Sequence, residues 1–464
     1  MAQRDEIPKG RVRRAAKVGR LAGGQTARAY ATRAANLTRS EEASRAAEER
    51  RQAEAAEQIF DVLGQMKGAA MKVGQVASFV DTGAFPPEMQ ERIQAKLAEL
   101  RDAAPRVPFK RMREVVERDL GEPIGDAFAE FEEEAVAAAS IGQVYRARLL
   151  DGRRVAVKVQ YPGVAQAVRA DLQNLGLIMR VAKRIAPGMD AKAMTREIRE
   201  RLTDELDYEH EAQSHRAMAR AWRGHPFVFV PDVVTSLCAE HVLVTEWVDG
   251  AGFEDVRGMD RAARDRFGEI VFRFFFGSLY RNGHFSGDPH PGNYKLMDDG
   301  RVAFIDFGMT KTLPRDEIDA EVEAIRHGMA GEAEELHAQL ARLGFFNAAD
   351  PRIGPDAVLD HFRDVTGWYI DDREVTIDRD VVTRVMIDMG DPRSRHWELM
   401  RRETMPAQAM LARRMEALTV GVLGQLGATA NWHRIAREWL FGDPPATPLG
   451  ELEYEFFGRR PRAA

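Results

Sequence analysis

Three oxygen-bearing side chains follow one another in the second half of the chain. Asp288 is followed five residues later by Asn293, and Asp306 lies thirteen residues beyond Asn293. Transfer of a phosphoryl group needs a carboxylate near the attacking oxygen, and hard oxygen ligands that hold Mg²⁺ on the phosphates. Two aspartates and an asparagine supply both, so this spacing predicts a phosphoryl-transfer site.

The sequence around these residues has the form of two protein-kinase motifs. Asp288 and Asn293 fit the D-x-x-x-x-N pattern of a kinase catalytic loop, and Asp306 opens an Asp-Phe-Gly triplet. A lone Asp-Phe-Gly occurs by chance. Here the apolar run Val302–Ile305 leads into it as a strand would. The two motifs together predict a kinase-like catalytic centre.

Upstream, a hairpin pattern positions a lysine. Phe131–Ala135, Ile141–Leu149 and Arg154–Val159 are expected to form strands, and Asp151-Gly152 is a turn signal between the last two. Lys158 lies in the third of these strands, where kinases carry the lysine that holds the nucleotide phosphates.

The segment ahead of that lysine departs from the kinase pattern. Kinases have glycines there, which let the backbone approach the phosphates. This chain has Val136, Ala137, Ala138, Ala139 and Ser140. We expect a loop that is stiffer than a glycine loop and that binds the nucleotide differently.

An acidic helix is expected from about Lys192 to Ser214. Asp204, Asp207 and Glu211 are spaced so that they share one helical face. A kinase needs one helical glutamate to pair with the strand lysine, and Glu211 is the candidate partner of Lys158.

The segment Val242–Gly250 is expected to be a strand that runs into a hinge between two lobes. The backbone from Glu246 to Val248 would bind an adenine ring there. Beyond it the pattern is helical to about Phe457. The segment Gly308–Pro314 leads almost directly into a helix, which leaves no room for a long activation loop.

Composition excludes several classes of protein. The chain has 464 residues, 44% hydrophobic and 30% charged, with a formal net charge of −6. That charge gives no overall attraction to nucleic acid, and the single cysteine, Cys238, excludes an internal disulfide framework. The sequence contains no run of about 18 apolar residues, so it predicts no membrane-spanning helix. We expect a cytoplasmic protein.

The N-terminal region is basic and then helical. Residues 1–40 are rich in arginine and lysine, which is typical of a solvated arm or of one that lies on acidic lipid or on an acidic protein face. Residues 41–105 are expected to be a helical extension. Lys72 and Gln75 share a helical face within it, and taken alone such a pair is usually solvated.

Four elements in order give the chain a resemblance to the UbiB/ADCK (AarF-type) family of atypical protein-kinase-like ATPases, over roughly residues 10 to 440. These elements are Lys72-x-Gly-Gln75, the alanine-rich Ala137–Ser140, Glu205-x-Asp207 with Glu211, and Asp288-Pro-His-Pro-Gly-Asn293 with Asp306-Phe-Gly308.

The resemblance implies roles for the N-terminal extension. Lys72 and Gln75 would cover the mouth of the active site, where a peptide substrate would otherwise enter. Glu205 and Asp207 would face the extension and pair with it, so these four residues would regulate the site.

The resemblance also implies roles at the catalytic centre. Lys158 and Glu211 would form the ion pair that positions the phosphates. Asn293 and Asp306 would hold Mg²⁺, and Asp288 would occupy the position of the catalytic base. The cofactors would be ATP or ADP with Mg²⁺.

The expected fold is α+β and bilobal, like a protein kinase, with a β-rich N-lobe, a mostly helical C-lobe and an N-terminal helical extension. After the arm (1–40) and the extension (41–105), the N-lobe would cover residues 106–249 and the C-lobe residues 250–464.

The expected function is that of an ATPase, or of an atypical kinase, that supports lipid, isoprenoid or quinone metabolism. Its partners would be a nucleotide, a lipid or isoprenoid-related ligand, and an anionic membrane touched peripherally. Two alternatives remain open: a small-molecule kinase of the aminoglycoside-phosphotransferase type, and a nucleotide-sensing scaffold. Lys72-x-Gly-Gln75 and Glu205-x-Asp207 argue against the first, since such enzymes need an open acceptor cleft.

Overall fold

The computed structural model describes residues 107–458, except 140, 167, 170–171, 173–198, 200–205, 392 and 407. The basic arm, the helical extension, and the predicted site residues Lys72, Gln75, Ser140 and Glu205 lie outside the described residues.

Twelve short strands are distributed among thirteen α-helices in the part of the chain that the structure describes. The strands are β1 Phe128–Phe131, β2 Ala137–Ala139, β3 Gly142–Leu149, β4 Arg154–Gln160, β5 Val228–Phe229, β6 Val242–Glu246, β7 His284–Ser286, β8 Tyr294–Leu296, β9 Val302–Phe304, β10 Thr310–Thr312, β11 Val375–Thr376 and β12 Thr429–Ala430. The α-helices are α1 Phe109–Leu120, α2 Ile124–Ala127, α3 Tyr208–Ala221, α4 Phe253–Arg257, α5 Arg261–Gly277, α6 Arg315–Ala330, α7 Ala333–Arg342, α8 Pro355–Ile370, α9 Arg379–Gly390, α10 Trp397–Met400, α11 Met410–Leu426, α12 Trp432–Leu440 and α13 Pro448–Gly458.

The chain divides into two compact units. The first takes the described residues up to Glu209 together with Thr235–Val244, and the second takes His210–Val234 and the residues from Thr245 onward. Residues 210–234 were expected to belong to the N-lobe. They belong to the second unit because Trp222 and Phe227 are buried in the same core as Phe274.

The first unit is built on a five-stranded sheet in the order β1-β3-β4-β6, with β2 paired to β3. Val155, Val157 and Val159 of β4 are fully buried, while Ala156 and Lys158 between them are only partly buried. This alternation is what a strand with one covered face requires. Helix α1 packs against β4 with a buried apolar stripe, so β4 is fixed and Lys158 with it.

Two predicted boundaries in this unit were wrong. The first strand is Phe128–Phe131 rather than Phe131–Ala135, because Phe128 is buried whereas Glu132 to Glu134 are exposed. The alanine-rich segment is a strand rather than a loop: Ala137 pairs with Val144, and Ala138 with Gln143. In the extended conformation the backbone groups of these alanines form hydrogen bonds with β3. In a free loop the same groups would have to bind water.

The acidic helix predicted from about Lys192 to Ser214 is interrupted, because Arg199 is helical whereas Leu206 and Asp207 are not. Helix α3 covers Tyr208–Ala221, so it ends beyond Ser214. Asp207 precedes the first residue of α3 and does not share a helical face with Glu211. Glu211 lies in the first turn of α3, as a residue of the second unit.

The second unit is mainly helical, and its core is rich in aromatic side chains. Helix α5 buries most of its C-terminal half and continues as one π-helical turn, Ser278–Asn282, into β7. Phe274 of α5 stacks on Phe304 of β9, with ring centroids 3.6 Å apart. This packing fixes the strand that leads into Asp306.

The segment between the Asp-Phe-Gly triplet and the next helix is short, as predicted. Strand β10 (Thr310–Thr312) pairs with β7, and α6 begins at Arg315. The α+β class with a sheet-rich unit and a helical unit is thereby confirmed. Among the described helices, none combines the length and the apolar character that crossing a bilayer requires.

Candidate active site

Asp288 lies in a tightly held loop between β7 and β8, here called the catalytic loop (residues 287–293). Its backbone N–H donates to the hydroxyl of Ser286 over 3.4 Å. The buried hydroxyl of Tyr294 donates to the carbonyl of Pro289 over 2.9 Å. These bonds from the two flanking strands fix the backbone on both sides of the Asp288 carboxylate.

Asn293 closes the same loop at the end of a 3₁₀ turn, Pro291–Asn293. Its side-chain Nδ2 donates to the main-chain oxygen of Asp288 over 3.3 Å and faces Asp288 Oδ2 at 3.4 Å. Because the nitrogen makes these contacts, the amide oxygen of Asn293 is the atom left to bind a cation.

Strand pairing brings Asn293 next to the residue that precedes Asp306. Strands β8 and β9 are antiparallel, with Tyr294 opposite Phe304. One step further out, Ile305 N–H donates to the carbonyl of Asn293 over 2.9 Å. An amide oxygen and a carboxylate are hard ligands of the kind that Mg²⁺ prefers, so Asn293 and Asp306 fit the ion by their chemistry.

A second strand pairing ties the catalytic loop to the Asp-Phe-Gly triplet. Ser286 of β7 lies opposite Thr310 of β10, and Gly287 N–H donates to Met309 O over 2.7 Å. Two antiparallel pairs therefore join the motifs that are separated in sequence, and Asp306 Oδ1 accepts from Gly308 N–H over 3.0 Å.

Glu211 of helix α3 reaches the same triplet. A Cβ atom built on Gly308 would lie 3.4 Å from Glu211 Oε2 and 3.5 Å from Asp306 Oδ1. Glu211 is buried, with 4% of its surface exposed. One turn further along α3, His215 packs edge-on against Phe307, with ring centroids 4.8 Å apart. Sequence reasoning found Glu211 but missed His215, whose spacing of four residues from Glu211 was the available signal.

Lys158 lies on β4 in the first unit, opposite Val144 of β3, as predicted for a strand lysine. Its Nζ lies 5.0 Å from the ring centroid of Tyr208, the first residue of α3. Lys158 and Glu211 belong to different units. The ion pair expected between them stays a prediction.

The alanine-rich strand contributes a short edge next to β3. Ala137 and Ala138 are exposed, and Ala139 is half-buried. The contact of these three residues with a nucleotide stays a prediction. The contact would be made by an edge strand rather than by a loop.

Two backbone groups of the hinge segment already have hydrogen-bond partners within the protein. Glu246 N–H donates to Asp232 O over 2.8 Å, so this donor is already engaged. The carbonyl of Val248 accepts from Lys295 Nζ over 3.4 Å. Binding of an adenine ring by the backbone from Glu246 to Val248 stays a prediction.

A helix that sequence reasoning did not connect with the site packs behind the catalytic loop. A Cβ atom built on Gly287 would lie 2.3 Å from Leu411 Cδ1 of α11. No pattern in the sequence linked the start of α11 to Asp288.

A further cluster of possible metal ligands, Asp364, Asp388 and His396, also lies in the second unit. Asp364 Oδ2 lies 2.7 Å from His396 Nε2 and 2.7 Å from Arg395 Nη2. Burial opposes ionisation of Asp364, but the bonds from His396 and Arg395 outweigh it and lower the pKa of this carboxyl. The cluster is a closed ion-pair network, and we assign no metal to it.

A β-rich unit with a strand lysine, followed by a helical unit with D-x-x-x-x-N and Asp-Phe-Gly on paired strands, defines a kinase-like protein. Residues 99–340, more than half of the chain, match the family described as "ABC1 atypical kinase-like domain", and the chain belongs to this family. The resemblance to UbiB/ADCK proteins is thus confirmed.

Curated relatives carry names of the same kind. The chain is 30% identical over 304 residues to "Atypical kinase COQ8B, mitochondrial" of Rattus norvegicus, which covers 65% of this chain and 57% of that protein. It is 32% identical over 306 residues to "Protein ACTIVITY OF BC1 COMPLEX KINASE 1, chloroplastic" of Arabidopsis thaliana, covering 65% of this chain and 44% of that protein. The chain therefore spans roughly half the length of these relatives.

A solved structure is similar along most of the chain. It is described as "The complex structure of Rv3197-erythromycin from Mycobacterium tuberculosis" and is 32% identical in sequence. The match has a TM-score of 0.62 and covers 84% of this chain and 97% of the other.

Proposed function

We propose that this protein binds Mg-ATP and transfers its γ-phosphoryl group, either to water or to a small acceptor. The observation that supports this most is the pairing of β7 with β10 and of β8 with β9, which assembles Asp288, Asn293 and Asp306 from two separate motifs. A chain that had kept the fold without the chemistry would have no need for all three side chains.

The protein side chains have distinct tasks in this proposal. Asp288 accepts the proton of the attacking hydroxyl or water, while Lys158 holds the phosphates on the nucleotide side. Asn293 and Asp306 would hold Mg²⁺, which when bound neutralises the charge of the phosphates. Glu211 lies beside Asp306 and Gly308. Its pairing with Lys158, which would orient the lysine toward the nucleotide, is carried over from the family resemblance.

Water or a small molecule suits the site better than a peptide. The chain passes from Gly308 to helix α6 through a single three-residue strand, so a long activation loop with a peptide-docking platform has no place here. The extension with Lys72 and Gln75 would cover the site further and pair with Glu205 and Asp207.

The metabolic pathway is proposed from the names of the proteins to which this chain is similar. Relatives are named COQ8B and BC1 complex kinase, and the solved neighbour is a complex with erythromycin, a small molecule. These names support a role in lipid, isoprenoid or quinone metabolism, with an apolar small ligand. We place the protein in the cytoplasm, in peripheral contact with an anionic membrane through residues 1–40; the mitochondrial and chloroplastic labels describe the relatives.

Phosphate release by the purified full-length protein tests the proposal. We expect turnover of ATP with Mg²⁺, and loss of about 100-fold or more in Asp306→Asn and Asp288→Asn. Full turnover in Asp306→Asn would contradict the mechanism. The matched control is Asp372→Asn, since Asp372 is an exposed partner of Arg434 on the same unit.

The same preparation separates the alternatives. A small-molecule kinase would transfer ³²P from labelled ATP to one compound of an acceptor panel that includes aminoglycosides and prenylated phenols. A nucleotide-sensing scaffold would bind ATP with Mg²⁺ but release phosphate no faster than Asp306→Asn. Phosphate release without a labelled acceptor favours the ATPase.

The membrane contact needs its own test. Residues 1–40 carry many basic and few acidic side chains, so their deletion should weaken binding to anionic liposomes, and the difference should vanish at high salt. Equal binding by the full chain and the deletion variant would refute the role of the arm.

A further inference from the structure

The catalytic loop contains no lysine or arginine. Its sequence from Ser286 to Asn293 is Ser-Gly-Asp-Pro-His-Pro-Gly-Asn. Kinases with the H-R-D motif carry an arginine directly before the catalytic aspartate, where this chain has Gly287. A cation beside Asp288 must therefore come from elsewhere in the fold.

Helix α11 occupies the space in which a side chain at position 287 would lie. A Cβ atom on Gly287 would approach Leu411 Cδ1 to 2.3 Å and Leu411 Cγ to 2.6 Å. Both distances are too short for any side chain. The Leu411 side chain therefore packs directly against the backbone of Gly287, the residue before Asp288.

Arg414 follows Leu411 by three residues, so the two share a face of α11. Its Nη2 lies 3.9 Å from Asp288 Oδ1, and its Nη1 lies 3.0 Å from Met309 Sδ. Asp288 Oδ2 faces Asn293 Nδ2 at 3.4 Å. The two carboxylate oxygens therefore have different partners, a guanidinium on one side and an amide on the other.

The Arg414 side chain is largely buried, with 10% of its surface exposed, against 14% for Asp288. Burial lowers the pKa of Arg414 to about 10, and the Asp288 carboxylate opposes this shift. Arg414 is therefore a cation at neutral pH. In an environment with little water, its attraction to the carboxylate is screened less than on the surface.

The other basic groups near this face of α11 have partners of their own. Arg413 pairs with Glu416 over 2.6 Å and with Glu321. Lys311 Nζ donates to the carbonyl of Gln408 over 2.9 Å. Arg414 is thus the basic side chain that the described structure brings to Asp288.

We propose that Arg414 is a positioning residue for Asp288, delivered by helix α11 in place of a basic residue in the catalytic loop. Holding Oδ1 fixes the carboxylate so that Oδ2 can receive the proton. In the transfer step the acceptor oxygen bonds to the γ-phosphorus, the bond from phosphorus to the β–γ bridging oxygen breaks, ADP leaves, and the acceptor proton passes to Asp288. The inference rests on the proposed phosphoryl transfer.

Substitution of Arg414 tests this. Arg414→Met keeps an unbranched apolar stem without the guanidinium charge, and we expect kcat to fall about 10- to 100-fold while the KM for ATP stays within about twofold. Arg414→Lys restores a cation and should recover part of the loss. Arg434→Met, which removes an exposed arginine of the same unit, is the control with unchanged kcat. A wild-type kcat in Arg414→Met, or a loss confined to KM, would overturn the inference.

A measurement of thermal stability, which does not depend on turnover, separates this inference from the proposed function. In a double-mutant cycle of Arg414→Met and Asp288→Asn, the Tm shift of the double variant should differ from the sum of the single shifts by about 2 °C or more. Additive shifts would overturn the pairing even if wild-type turnover is high. Coupled shifts with no wild-type turnover would uphold the pairing and reject the function.

Discussion

The backbone N–H of Gly287 donates to the carbonyl oxygen of Met309 over 2.7 Å. This bond joins the residue before Asp288 to the residue that follows the Asp-Phe-Gly triplet. Any displacement of the catalytic loop is therefore passed to the triplet that carries Asp306. Gly287 also lies against helix α11, where a Cβ atom would be 2.3 Å from Leu411 Cδ1. A substitution at Gly287 should therefore disturb the site.

Gly287→Ala should disturb the site through Leu411. The added methyl group would lie 2.3 Å from Leu411 Cδ1, so the Leu411 side chain, α11 or the catalytic loop must shift, at a cost of about 1 to 3 kcal/mol of unfolding free energy. We expect ATP turnover to fall with it. Adding Leu411→Ala should restore part of the turnover, because it removes the clash.

The matched control for this substitution lies on the same helix. A methyl group on Gly421 of α11 would meet nothing within 4 Å. Gly421→Ala should therefore be neutral or stabilising by up to about 1 kcal/mol, because alanine favours the helix. Chemical denaturation of the three variants and the wild type measures this, and equal stabilities of Gly287→Ala and wild type would contradict the prediction.

Arg273→Met should destabilise the second unit strongly. Arg273 is fully buried, and its guanidinium bonds Glu269 over 2.7 Å, Glu438 over 2.7 Å and Glu453 over 2.9 Å. Removing the arginine would take the buried cation away from Glu269 and Glu438 and leave Glu453 with Arg281, at a cost of about 3 to 5 kcal/mol. The C-terminal helix α13, which carries Glu453, should lose protection from hydrogen exchange first.

Arg434→Met is the control for that loss. Arg434 pairs with Asp372 over 2.8 Å on the surface, and exposed pairs contribute only about 0 to 1 kcal/mol. Similar destabilisation by the two substitutions, measured by urea unfolding, would refute the role given to Arg273.

Ala138→Gly should change how the nucleotide is bound. Ala138 lies on the exposed strand β2, opposite Gln143, and glycine weakens a strand while it widens the choice of backbone angles. We expect the ratio of ADP to ATP affinities to change, and autophosphorylation to appear. Calorimetric titration with both nucleotides measures this. Ala137→Gly should act in the same direction, and unchanged affinities in both variants would refute the role of the segment.

Acid should destabilise the first unit through Asp119. Asp119 Oδ2 accepts from His241 N–H over 2.9 Å and lies 2.8 Å from His241 Nδ1. Burial opposes ionisation, but the bonds from Arg118 and His241 outweigh it, so the pKa of Asp119 is lowered. A lowered pKa means that this stability is present above the unfolded pKa of about 3.9 and is lost as pH falls through the folded value.

The measurement for Asp119 is the free energy of unfolding between about pH 5 and pH 2. Asp119→Asn should have a lower stability at neutral pH and a shallower loss in acid than the wild type. Parallel curves for the two proteins would show that Asp119 does not contribute to the pH dependence.

The sequence by itself determined which residue types stand at the candidate catalytic centre. The types and spacing of Asp288, Asn293 and Asp306 are local properties, because short loops between paired strands leave few ways to place them. The strand position of Lys158 and the short segment before α6 were predicted on the same ground.

Tertiary structure decided what lies around that centre. Leu411 and Arg414 reach Gly287 and Asp288 only because α11 packs on the catalytic loop, and no local pattern encodes a contact between residues so far apart. The alanine-rich segment is a strand because β3 offers it hydrogen-bond partners, an interaction that outweighs the loop expected from its position alone. Pairing and packing across the chain are what the sequence pattern could not supply.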